Sequence, residues 1–422
     1  MKILSENQKP AETITKLIIT EYKDKIASVL MENSRPVQIS MEPKSKTSIL
    51  GNIYIGRVQN IVKNINAAFV EIEPGRICYY SLSENRRHWF GKTPENRILH
   101  IGDEIMVQVE KDGIKTKSPM LTSNISLSGK YCVLTALSSQ ISFSSKIRST
   151  QWKEHLKERL ETVRIGPWGI IIRTNAKDAE EETILNEILT LSKAFETLLN
   201  DREYRTCYSI LYQSAPGYLK EVKNAYSASL KAIVTDRPRL YEELSSYLSA
   251  YQPEDLDKLS LYQDPMLSLS SLYSLETVFS QAVQPRVWLK SGGYLVIEPT
   301  EAMTVIDVNT GKFSGKKTMR ETLLKINLEA ADAAARELRL RNLSGIIIID
   351  FIDMEADEDR ELLMEHLRAA VRKDPIKTTV VDMTKLNLVE ITRKKLQPSL
   401  YQQLNGFSVT VQPCEDSGRK MR

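Results

Sequence analysis

Residues Gly292–Glu355 read GGYLVIEPTEAMTVIDVNTGKFSGKK, then TMRETLLKINLEAADAAARELRLRNL, then SGIIIIDFIDME. The first part ends in a β-rich run, Met303–Asn309. The last part opens with four isoleucines, Ile346–Ile349, β-branched throughout and too few for a helix. Between them, Thr318 and Glu321 have the spacing of a capping box. Met319, Leu323, Ile326, Ala330, Ala334 and Leu338 recur at helical intervals, and Gly345 lies just past the helix end. A strand–helix–strand unit predicts two parallel strands joined by a right-handed crossover. That pairing brings Asp307 and Asp350 to one edge of a sheet, where open α/β sheets bind ligands. Asn309, two residues after Asp307, shares its face. Two carboxylates and an amide, near Lys312, Lys316, Lys317 and Arg320, suit a magnesium ion and a phosphate, because few hard oxygen donors leave room for waters. Pattern alone leaves the plain alternative open: Asp307 ends a strand and Asp350 makes a salt bridge. Asp353 is expected to face away from Asp350 if the strand continues, and His366 reads as structural.

The chain has 422 residues, is 41% hydrophobic and 27% charged, and carries a formal net charge of +4. This is the composition of a soluble protein of several domains. No apolar run reaches membrane-spanning length, and the first residues, MKILSENQKP, lack a secretory core, so a cytoplasmic protein with no membrane partner is expected. Cys78, Cys132, Cys207 and Cys414 are scattered and form no CxxC pair. They predict reduced thiols rather than disulfides or zinc.

Residues 11–42 read as antiparallel strands with a turn at Glu32–Pro36. Short strands punctuated by glycine and asparagine over 45–128 suggest a small barrel of the OB type. In NAAFVEIE, Ala68, Val70 and Ile72 share one face and Phe69 the other. Tyr79 is likewise out of step with Tyr80. Outward aromatics would stack unpaired bases, with Lys111 and Lys117 near phosphates. The reverse orientation, with Phe69 in the core, stays open. The basic loop SENRRHWFGKTPENRILH carries Trp89 and Phe90 and reads as a clamp or as a solvated insertion with an apolar anchor. Over 129–215, Trp152, Leu156, Leu160 and Val163 line one helix. GPWGIIIRTNA is a buried strand ending in Arg173-Thr174. A second helix carries Ile184, Ile188, Leu191, Phe195 and Leu198. Arginine and threonine before a helix N-terminus can hold a phosphate, and a salt bridge with a helix cap is the alternative. Asp236, before Arg237-Pro238, reads as a strand end or cap, and 237–285 reads as helical and polar. KTTVVDMT is expected as the third sheet strand of the central region.

VIDVNTGK, NLEAADAAARELRLRNLSGIIIIDFIDM and EITRKKLQPSL resemble the signature of the ribonuclease E/G family, over about residues 1–400. The resemblance implies an α+β multidomain protein. Residues 1–44 and 216–285 would form a ribonuclease H-like subdomain, with an OB-fold RNA-binding barrel at 45–128 inserted in it. An α/β 5′-sensor domain would follow at 129–215, and an α/β, DNase I-like catalytic domain at 286–400. It implies Asp307 and Asp350 as magnesium ligands, with Asn309 as their catalytic partner at the scissile phosphate. It implies RNA binding by Phe69, Tyr79 and Lys117, with Tyr79 where phenylalanine is usual. Arg173 and Thr174, with backbone near Gly129 and Val133, would bind a 5′-monophosphate. The implied activity is magnesium-dependent cleavage of single-stranded, 5′-monophosphorylated RNA, leaving 5′-phosphate and 3′-hydroxyl ends, in RNA processing and decay. A non-catalytic RNA-binding or ribosome-associated factor with a decayed nuclease core is the other reading. Many members continue into CPxCxG; here residues 401–422 form a tail with Cys414 alone. No structural zinc is therefore expected, and any homo-oligomer would not form through a zinc link.

Overall fold

The computed structural model describes residues 13–45, 48–91, 98–113, 118–163, 166–226, 228–311 and 319–405. The chain divides into two compact units. One comprises Glu42–Asp264 with the residues up to Ser34; the other comprises Arg35–Met41 with the chain from Pro265 onward.

In the first unit, strand Thr15–Tyr22 pairs antiparallel with Lys25–Glu32 and parallel with Leu230–Thr235. The N-terminal strands thus join a segment some two hundred residues later. Leu17 and Ile19 pack with Leu219 and Val222 of helix Gly217–Asn224, and with Leu240, Leu244 and Leu248 of helix Pro238–Tyr251. Burying each such side chain is worth about 1.5–3 kcal/mol. Asp236 ends the 230–235 strand and accepts a hydrogen bond from Thr20 Oγ1 at 2.6 Å. It is not a helix cap. One stretch of the region read as helical is a strand, Leu259–Leu261, parallel to Leu230–Thr235. Three residues are too short for any periodicity to show.

A closed five-stranded barrel follows. Ile53–Val62, Ala67–Glu73 and Arg76–Ser81 pair in sequence. Met120–Thr122 joins the third strand in parallel, and Glu104–Lys111 pairs with both Met120–Thr122 and Ile53–Val62 to close the ring. Ala68, Val70 and Ile72 fill its core, so Phe69 faces out. Trp89 and Phe90 of the basic loop are buried and pair with Met106 and Ile105, which settles that loop as anchored by apolar side chains. Its residues 92–97, with Lys92 and Arg97, lie outside the described residues, as does Lys117.

A four-stranded sheet comes next, ordered Ser126–Ser128, Cys132–Thr135, Gly169–Ile172 and Ile141–Phe143. Helices Thr150–Thr162 and Glu181–Asp201 cover it through Leu156, Leu160, Ile184, Ile188, Phe195 and Leu198. The predicted apolar faces of both helices are the ones buried. Ile170 and Ile172 are buried but Ile171 is exposed, so this strand is covered on one face, not two.

The second unit is built on a six-stranded sheet ordered Arg286–Trp288, Tyr294–Pro299, Met303–Asn309, Gly345–Asp350, Leu388–Arg393 and Thr378–Met383. Met303–Asn309 and Gly345–Asp350 run parallel, joined through helix Met319–Leu340. The other pairings are antiparallel. KTTVVDMT is an edge strand. Leu388–Arg393, from the EITR motif, stands between it and the central pair, with its own Val389 and Ile391 buried in the core.

Side chains alternate across this sheet. Leu295, Ile297, Ile306, Val308, Ile347, Ile349, Val389 and Ile391 point to one face. There they meet Ile326, Ala330, Ala334 and Leu338 of the long helix, and Leu363 and Leu367 of helix Asp357–Val371. Met319 is 75% exposed and does not join the stripe; Thr322 takes its place. Thr318, the expected cap, lies outside the described residues. The helix Met319–Leu340 is capped by Asn342 rather than by Gly345. Asn342 has φ +49, its N–H donates to Arg339 O, and Leu343 N–H donates to Leu338 O. These two bonds satisfy the last carbonyls in a Schellman motif, with asparagine tolerating the left-handed conformation.

Candidate active site

The covered face of the central sheet leaves the opposite face open, and that face carries the acids. Asp307 and Asp350 are direct partners in the parallel register. Both are exposed, and Asp350 is the last residue of its strand. The Asn309 amide donates to Asp307 Oδ2 at 2.6 Å, which fixes that carboxylate. The Asp350 carboxyl is held above the usual carboxylate range, first by partial burial, then by the negative charges of Asp307 and Asp353. Two like charges side by side are the condition a divalent cation relieves.

Asp353 is closer to the site than alternation predicts. The strand stops at Asp350, so the two-residue period does not reach Asp353. Its carboxylate accepts from Asn387 Nδ2 at 3.0 Å. Among the described residues, no three acidic, histidine or cysteine side chains converge on one metal position. Two carboxylates with one amide still fit magnesium, which keeps several waters and uses few protein ligands.

The backbone around the acids is fixed from below. Asn327, fully buried on the long helix, donates to Ile352 O at 2.8 Å and accepts from Ile352 N at 3.1 Å. It holds the segment leaving Asp350. The sequence signal for it was an asparagine on the apolar stripe of the helix. Gly311, with φ +61, turns the chain just after the site strand. A Cβ there would lie 2.2 Å from Gly292 O, so only glycine fits. Arg320, expected near a phosphate, is instead spent on Asp359 through bonds of 2.7 and 3.1 Å. The expected lysines, Lys312, Lys316 and Lys317, lie outside the described residues. His366 sits within helix Asp357–Val371 and faces Asp332, consistent with a structural role.

On the barrel, Phe69 and Tyr79 are direct cross-strand partners with half-exposed rings. Their centroids are 6.2 Å apart and their planes meet at 79°. They form one outward aromatic pair.

In the four-stranded sheet's neighbourhood, Arg173 donates to Gly129 O and to Asn224 Oδ1, each at 2.6 Å. Burial pulls its pKa down, with Glu187 opposing. Thr174 Oγ1 lies 3.0 Å from Ser144 Oγ. The helix N-terminus expected directly after Thr174 is displaced: a 3₁₀ turn, Thr174–Asp178, intervenes, and the α-helix starts at Glu181. Glu187 from that helix accepts from the backbone N–H groups of Lys130, Tyr131 and Cys132 at 2.7, 2.8 and 2.9 Å, and so sets the turn between Gly129 and Val133. Lys223 bonds Ser128 O at 2.8 Å beside it. Burial, and then the charge of Arg173, push Lys223 down to about 8.

The model of the ribonuclease E/G family matches residues 126–396. The chain is 34% identical over 392 residues to a ribonuclease G from Haemophilus influenzae, covering 90% of this chain and 79% of that protein. It is 34% identical over 373 residues to the ribonuclease G of Escherichia coli strain K12, covering 86% and 76%. A ribonuclease E from Nostoc is 33% identical over 380 residues, covering 88% of this chain and 55% of the longer relative. A match of this extent, spanning both compact units and both acid-bearing strands, shows that the chain belongs to the ribonuclease E/G family.

Proposed function

We propose that this chain is an endoribonuclease of RNA processing and decay that cuts single-stranded RNA with one magnesium ion held by Asp307 and Asp350. The observation that carries this reading is the parallel register that sets those two carboxylates opposite each other on the uncovered face of the sheet. When bound, such an ion supplies Lewis-acid polarisation of the phosphodiester and lowers the pKa of an attacking water. The chain's own groups do the rest. Asp307 and Asp350 concentrate negative charge at one point. Asn309 locks Asp307 and presents its amide oxygen to a water or to the scissile phosphate. Among the described residues, no side chain is positioned as an obvious general base. Attack by water leaves a 5′-phosphate and a 3′-hydroxyl.

The outward pair Phe69 and Tyr79 stacks unpaired bases on a barrel of the OB type. Lys117 is assigned to phosphate contact on the family resemblance alone. Arg173 and Thr174, with the backbone of Gly129 and Val133, take the 5′-monophosphate of the substrate. Among the described residues no helix is long and apolar enough to cross a membrane. We place the protein in the cytoplasm, acting on RNA.

The test is a cleavage assay on unstructured, 5′-monophosphorylated RNA with and without magnesium, using wild type and the purified Asp307→Asn/Asp350→Asn variant. Loss of cleavage by at least about a thousandfold, the several kcal/mol such an ion supplies, is expected with RNA binding retained. Magnesium-dependent cleavage by the double variant would overturn the assignment. A wild type that binds this RNA and never cuts it would favour a binding factor with a decayed nuclease core.

A further inference from the structure

The open face of the second unit carries more than the acids. Strand register continues outward from them. Asp350 stands opposite Asp307, Asp307 opposite Val296, and Val296 opposite Arg286. One pleat along, Asn309 stands opposite Tyr294, and Tyr294 opposite Trp288. Residues directly opposite on neighbouring strands share a face. Arg286, Trp288 and Tyr294 therefore lie on the same uncovered face as Asp307, Asn309 and Asp350. Neighbouring strands are about 4.8 Å apart, so the two rings lie roughly one and two strand widths from Asn309.

Their surroundings do not account for them as core. Trp288 is 65% exposed, although tryptophan gains most from burial. The Trp288 and Tyr294 ring centroids are 5.2 Å apart, with planes at 58°. The Arg286 guanidinium lies 4.7 Å from the Tyr294 ring centre and 5.9 Å from that of Trp288. Arg286 has no carboxylate partner among the described residues. The hairpin joining the two strands is held rigid. Glu329 of the long helix accepts from Lys290 N at 2.5 Å and from Ser291 N at 3.1 Å, and Leu289 N donates to Gly293 O at 2.8 Å. Two exposed rings and an unpaired planar cation on a fixed hairpin have the character of a stacking site for an unpaired base, with a cation for the adjoining phosphate.

We propose that Trp288, Tyr294 and Arg286 form a platform that stacks an unpaired nucleobase of the RNA next to the phosphodiester at Asp307 and Asp350. The proposal rests on the nuclease reading above and deepens it. It names the residues that set where the strand lies across the acids, and it makes cleavage depend on an unstacked base beside the cut.

The test uses single-stranded RNA oligonucleotides with one abasic residue moved along the strand, cut in magnesium by wild type, Trp288→Ala, Trp288→Phe, Tyr294→Ala and Asp307→Asn. In wild type, one abasic position beside the cut should lower kcat/KM about 5- to 100-fold, the range for one stacked base. Trp288→Ala and Tyr294→Ala should lose a similar factor on intact RNA and become insensitive to the abasic residue at that position. Trp288→Phe should keep most of both rate and sensitivity. If the alanine variants melt like wild type and keep the wild-type abasic profile, at whatever rate, the platform is refuted while an inactive Asp307→Asn leaves the nuclease reading intact. An active Asp307→Asn would refute that reading, and the platform with it.

Discussion

Asp350 faces Asp307 across a single pair of parallel strands, and the charge of Asp307 helps make ionisation of Asp350 costly. The carboxyl of Asp350 is raised because its ionised form loses part of its water and meets two negative neighbours, Asp307 and Asp353. Such an arrangement opposes folding in the metal-free protein and favours binding of a cation.

The pH dependence follows with a definite sign. A raised carboxyl binds its proton more tightly in the folded state than in the unfolded chain. The folded state is therefore unpenalised below the ordinary carboxylate pKa and loses stability as pH rises through the raised one. In magnesium-free buffer, Asp350→Asn should match or exceed wild type at pH 7, by about 1–3 °C in Tm, since an exposed group is well screened. At pH 3 the gain should vanish. Thermal melts at both pH values check this. A destabilised variant at pH 7 would show that Asp350 makes a favourable contact instead.

Asn327 ties the long helix to Ile352 with two hydrogen bonds from a fully buried amide. Asn327→Leu removes both and leaves the Ile352 N–H and C=O to find other partners. A loss of about 1–3 kcal/mol per unsatisfied buried group is expected in urea titration. Cleavage should fall further than stability alone explains, because the segment after Asp350 is freed.

Phe69 and Tyr79 touch edge to face across two strands. Each alanine substitution should weaken binding of unpaired RNA by about 1–3 kcal/mol in fluorescence anisotropy. The double variant should lose less than the sum, since the rings support each other. Tyr79→Phe should bind like wild type, since the ring is what stacks. Unchanged binding in the double variant would remove the barrel from RNA recognition.

Arg173 is held by Gly129 O and Asn224 Oδ1, so its fork is positioned before any ligand arrives. Arg173→Ala should lower the preference for 5′-monophosphate over 5′-hydroxyl RNA by about 10- to 150-fold, the 1.5–3 kcal/mol of a hydrogen bond to a charged group, and leave the 5′-hydroxyl rate unchanged. Equal rates on both substrates in wild type would end the sensor assignment.

The local signals in the sequence were reliable where a period ran for a full element. The alternation in NAAFVEIE and the stripe Ile326, Ala330, Ala334 and Leu338 identified buried side chains, and the four isoleucines identified a strand, of which Ile347 and Ile349 are the buried pair. A strand–helix–strand order admits only a parallel pairing at short range, so the neighbourhood of Asp307 and Asp350 could be read before any coordinates. Tertiary structure decided what periods do not encode. It inserted Leu388–Arg393 beside the acid-bearing strand and sent Thr378–Met383 to the edge. It ended the strand at Asp350, which brought Asp353 within electrostatic reach. It also set the two antiparallel registers that carry Trp288 and Tyr294 onto the face of Asn309. The physical reason is range: burial period is a property of neighbouring residues, whereas strand partner and register are settled by which distant surfaces pack together.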